Sequence, residues 1–113
     1  MSVEIVHAGA ADVVHVIGSI DAKTAPEIGT AFQPVLDGSR NVIVDLAGVD
    51  YVSSAGLRLL LVAYRKVNAE SRRLVLAAVK TDILQVMSHT GFLPFFTVVA
   101  DEAEALTALA GTA

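Results

Sequence analysis

The chain has 113 residues, enough for one domain with a real core, expected over residues 1–113. The absence of cysteine excludes disulfides and thiol catalysis, and a net charge of −4 with scattered basic residues argues against nucleic acid as the main partner. Although 54% of residues are hydrophobic, no apolar run approaches the roughly 20 residues of a membrane span, and no basic region precedes an apolar one at the start. A cytoplasmic location without membrane contact is expected.

Val3 and Ile5, then Val13, Val14, Val16 and Ile17, form two β-branched runs separated by Gly9-Ala10-Ala11-Asp12, the pattern of a hairpin. Gly18-Ser19-Ile20-Asp21 closes the second. Thr24-Ala25-Pro26-Glu27 opens a helix: Thr24 as cap, Pro26 in the first turn and Glu27 completing a capping box. Ile28, Phe32, Val35 and Leu36 supply its apolar face, and Pro34 should kink it or end it early. Val42-Ile43-Val44 is an apolar strand ending at Asp45, and a short connection with Gly48 and Asp50 follows. Ser53 and Ser54 then precede a helical pattern, Leu57, Leu60, Leu61, Tyr64 and Val67, with Ser54 placed at the N-cap. Glu70-Ser71-Arg72-Arg73 reads as a polar turn. Leu74 to Val79 is a strand buried on both faces. Thr81 or Asp82 caps a short helix, with Gly91 as its C′ residue. Thr97-Val98-Val99 is a last strand, and Asp101 starts a last helix carrying Ala105, Leu106 and Leu109. The order β-β-α-β-α-β-α-β-α predicts an α/β fold: a mixed sheet with an N-terminal hairpin, then alternating helices and strands.

The segment Asp45-Leu46-Ala47-Gly48-Val49-Asp50-Tyr51-Val52-Ser53-Ser54-Ala55-Gly56-Leu57 resembles the signature of the STAS family, in particular the bacterial anti-sigma factor antagonists. Gly18 and Asp21 match a second family position, and the resemblance extends over nearly the whole chain. Ser53 stands where the family carries an acid, and Ala55 follows the acceptor position. The resemblance implies a single STAS-like domain that is not an enzyme. It implies phosphorylation at Ser54, the serine two places before Gly56-Leu57. The unphosphorylated form would bind an anti-sigma factor that is itself a serine kinase and so release the sigma factor. A metal-dependent serine/threonine phosphatase would reverse the modification. The partner surface is expected at Asp21, Ser53, Ser54, Ala55, Gly56 and Arg58. A different assembly, stressosome-like or for lipid transport, without a phosphorylation cycle is the alternative.

Other chemistry has weaker sequence support. His7, His15 and His89 have no metal-binding spacing, and no metal or cofactor is expected. A Ser54-His15-Asp45 triad can be drawn, but Val52 stands where a nucleophile elbow needs glycine. Asp21, Asp45 and Asp50 could gather near Ser54. Arg58 and Arg65 share a helix face that is either solvated or turned to an acidic partner.

Overall fold

The computed structural model describes residues 1–110; the last three residues of the expected domain lie outside them. Along the chain run β1 (Ser2–Ala8), β2 (Ala11–Ile20), α1 (Ala25–Leu36), β3 (Asn41–Val52), α2 (Ser54–Ala69), β4 (Leu74–Ala77), α3 (Thr81–His89), a 3-10 turn (Leu93–Phe95), β5 (Thr97–Val99) and α4 (Glu102–Ala110). The strands lie in the order β1-β2-β3-β4-β5. β1 pairs antiparallel with β2, and every later pairing is parallel. This is the mixed sheet and element order expected from the alternation of apolar patterns.

The period of two along the strands divides the core into two layers. Val14, Val16, Val42, Val44, Leu74 and Leu76 face the layer built by α1, α2 and α3. Ala11, Val13, Ile43, Val75 and Ala77 face the other way, under Ala105 and Leu109 of α4. β2, β3 and β4 bury residues on both faces, which takes up a large part of the apolar composition.

Several local expectations are corrected. The hairpin turn is Gly9-Ala10 alone, with Gly9 at φ +61°, and Asp12 lies inside β2, buried beside His7 and Arg40. β3 does not stop at Asp45 but continues to Val52 against β2. Two register shifts, between His15 and Ile17 and between Gly18 and Ser19, each place an extra residue in β3. They lengthen the spacing of core side chains so that Leu46, Val49 and Val52 all return to the α1–α2 layer. Gly48 sits at the first shift, where a Cβ would come within 2.9 Å of the Ile17 side chain. α1 runs through Pro34 to Leu36. The Thr24 capping box does not form, because Thr24 is engaged elsewhere. Lys80, not Thr81 or Asp82, is the N-cap of α3. Gly91 (φ +81°) does close α3: its N–H reaches the Ser88 carbonyl and Phe92 N–H that of Met87, a Schellman arrangement.

The segment read as a polar turn holds a structural residue. Arg72 is buried, and its guanidinium donates to the carbonyls of Val35 (3.1 Å), Leu36 (2.7 Å) and Arg40 (3.0 Å) while pairing with Glu70. It thus closes the C-terminal end of α1 from the turn between α2 and β4.

Candidate functional site at the start of the second helix

The end of β2 and the start of α2 are stitched together at one carbonyl. Ser53 N–H donates to the Ile20 carbonyl (2.8 Å). Gly56 stands against the same group: a Cβ there would lie 2.6 Å from the Ile20 oxygen, 2.8 Å from the Ile20 side chain and 2.9 Å from Val52. Only glycine lets the first turn of α2 come this close. Gly56 is accordingly buried, and its part is to seat the helix.

Ser53, rather than Ser54, is the N-cap. Its backbone is extended (φ −84°, ψ 175°), and its Oγ accepts from Gly56 N–H at 3.2 Å. Ser54 is therefore the first helical residue, and its side chain is exposed. The caps satisfy the N–H groups of Gly56 and Leu57. Those of Ser54 and Ala55 remain at the positive end of the helix dipole. No acidic residue stands in this first turn. An anion on the Ser54 oxygen therefore meets favourable partial charge from its own helix.

The loop after Ile20 is fixed from within. The Asp21 carboxylate accepts from the N–H groups of Lys23 and Thr24, both at 3.0 Å. Thr24 Oγ1 accepts from Asp21 N–H (3.0 Å) and donates to the Ser19 carbonyl (2.8 Å). The Thr24 N–H, together with that of Lys23, holds the Asp21 carboxyl below its ordinary value. Thr24 and the Ile20 carbonyl were missed as site-forming groups, although Asp-x-x-Thr is a turn signal.

Of the residues singled out in the sequence, Asp21, Ser53, Ser54, Ala55 and Gly56 come together here through the Ile20–Ser53 bond and the first turn of α2. Arg58 stands one turn on, exposed and without an ion pair among the described residues. The three aspartates take separate partners. Asp21 turns into its own loop, Asp50 pairs with Lys80, and Asp45 faces His15 at 3.4 Å. His15 and Asp45 lie on the α4 side of the sheet, whereas α2 packs on the other layer. The drawn Ser54-His15-Asp45 triad is thus not assembled; Glu102 takes the third place beside His15. The neighbouring Asp45 carboxylate and, after it, partial burial push the Glu102 carboxyl above its ordinary value.

Residues 2–105 match the family model of the STAS domain. BtrV of Bordetella bronchiseptica, itself a candidate anti-sigma factor antagonist, is 34% identical over 97 residues, covering 85% of this chain and 83% of its own. A crystal structure of an anti-sigma factor antagonist from Mycobacterium paratuberculosis has a TM-score of 0.83 at 28% identity, covering 96% of this chain and 93% of that one. The antagonist SpoIIAA matches in its unphosphorylated form (TM-score 0.80, 18% identity, 99% of each chain). The Bacillus protein matches also in its phosphorylated form (TM-score 0.70, 17% identity, 94% of this chain and 97% of that one).

Proposed function

This chain belongs to the STAS domain family, and from that premise we propose that it is an anti-sigma factor antagonist switched by phosphorylation of Ser54. The unphosphorylated domain binds an anti-sigma factor that is also a serine kinase, and the sigma factor is released. Phosphate transfer to Ser54 ends the binding, and a metal-dependent serine/threonine phosphatase restores it. The single observation that carries this reading is the placing of Ser54: exposed, first in its helix, with its neighbour Ser53 occupied as the cap. The Ser54 hydroxyl is free to reach a kinase, while Ser53 Oγ is engaged with Gly56 N–H.

The partner surface in this reading is the loop from Asp21, the first turn of α2 and the outward side of that helix at Arg58. SpoIIAA, which is known in both phosphorylated and unphosphorylated forms with this fold, supports the idea that the fold accommodates the modification. The test is incubation with the cognate kinase and ATP followed by peptide mass spectrometry. Phosphate is expected on Ser54 and absent from a Ser54→Ala protein. Phosphate on Ser53 alone, or full labelling of Ser54→Ala, overturns the assignment.

A further inference from the structure

On the sheet face opposite α2, three metal-ligating side chains from three elements converge. His15 and Asp45 are register partners on adjacent parallel strands, so both side chains project towards α4. Glu102 is the first residue of α4 and reaches back over them. Asp45 Oδ2 lies 3.4 Å from His15 Nδ1, and Glu102 Oε2 lies 3.4 Å from His15 Nε2. One ligand atom from each residue can be chosen so that all lie within 4.8 Å of one another. Asp45 Oδ1 accepts Ala47 N–H at 2.9 Å, which orients the carboxylate and leaves Oδ2 for the cluster.

The local charge is one-sided. Glu4 is the cross-strand partner of His15 on the same face, and Asp101 precedes Glu102. No lysine or arginine forms an ion pair with Asp45 or Glu102 among the described residues. An imidazolium supplies at most one positive charge against these carboxylates. An imidazole nitrogen with two carboxylate oxygens is a donor set suited to a borderline divalent cation. The two 3.4 Å contacts fall on opposite nitrogens of His15, so a cation held by one of them draws the other carboxylate round the ring, from within 4.8 Å to the roughly 3.4 Å edge that tetrahedral bonds of about 2.0–2.1 Å imply.

We propose that His15, Asp45 and Glu102 form a site for a divalent transition cation of the zinc class, which fastens the start of α4 to the sheet. Three protein ligands leave a coordination position for water, with Glu4 close by on β1. The site is independent of Ser54, and its test does not involve the kinase.

The full chain, stripped with a chelator and dialysed free of it, is titrated with zinc chloride by calorimetry at neutral pH. One equivalent should bind, and the melting temperature should rise with zinc concentration. Cobalt should replace zinc and give the intense visible bands of a four-coordinate ion. Glu102→Gln and His15→Ala should each weaken binding beyond the roughly 10- to 100-fold that loss of a supporting group costs. His7→Ala and His89→Ala should bind as the parent does. Because His15 is part of the sheet, Glu102→Gln at the edge of α4 gives the deciding result should His15→Ala misfold. Absence of saturable zinc binding, or binding that Glu102→Gln leaves unchanged, overturns the proposal.

Discussion

Arg72 shows how much one side chain can hold in a chain of this size. Its guanidinium serves three main-chain carbonyls from a buried position and pairs with Glu70. Truncation leaves those carbonyls without the donor, so Arg72→Ala should cost about 2–4 kcal/mol in chemical denaturation. Arg72→Lys should recover only a fraction, because an ammonium cannot reproduce the fork. The partner Glu70 has a pH signature. Lys66 first, and Arg72 second, hold its carboxyl below the ordinary value. A carboxyl whose folded pKa is depressed stabilises the fold above its unfolded pKa, and this contribution disappears as pH falls through the folded one. Glu70→Gln should therefore melt below the parent at neutral pH, and the gap should close on acidification past the ordinary carboxylate range. A gap that stays constant through that range would remove Glu70 from the pH response. None of this was legible in Glu70-Ser71-Arg72-Arg73, because a polar run reads as solvated unless distant carbonyls are known to meet it.

Helix α2 was legible where its pattern is periodic and illegible where its position depends on contact across the sheet. Leu57, Leu60 and Val67 are buried as expected, but Leu61 and Tyr64 are only partly covered, and Gly56 and Ala63 are buried instead. The face is turned towards the small residues that allow close approach. The cap was misplaced by one residue because two serines stand side by side, and only the backbone of Ser53 is extended. Strand β3 was read short for a related reason. Val42 to Val44 announce a strand, whereas Gly48 and Asp50 read as loop until the two shifts against β2 are seen. Similarly, His15 and Asp45 belong together, but Glu102 arrives from a distant helix, beyond the reach of any spacing rule. Gly56 tests the account of α2. Its missing Cβ faces a backbone oxygen at 2.6 Å, which cannot swing aside as a side chain would. Gly56→Ala should cost about 1–3 kcal/mol despite alanine's better helix propensity. A variant as stable as the parent would show that α2 is not seated by this contact.

At the scale of the whole molecule, a switch must alter binding without dismantling the fold. Ser54 is placed so that its modification concerns the surface more than the core. Its side chain is exposed, whereas the leucines that anchor α2 lie further along the helix in the buried layer. A negative charge at the first helical residue is favourable by about 0.3–1 kcal/mol. Arg58, one turn on, can interact with such a charge across the helix surface. Ser54→Asp should thus melt no lower than the parent. The same charge lies where the proposed kinase must dock, and a phosphate brings about −1.5 to −2 charges there. Burying it without full compensation costs more than one or two new hydrogen bonds return. Ser54→Asp should therefore bind the kinase poorly, and Ser54→Ala should bind it and remain bound when ATP is added. Arg58→Glu, in the same titration at low salt, should weaken binding by about 1 kcal/mol or more. Thermal melts paired with kinase titrations separate the two effects. A Ser54→Asp protein that loses both binding and stability would mean that the charge acts by disrupting α2. Retained stability with lost binding is the expected result, because the helix end that welcomes the charge is part of the surface proposed for the partner.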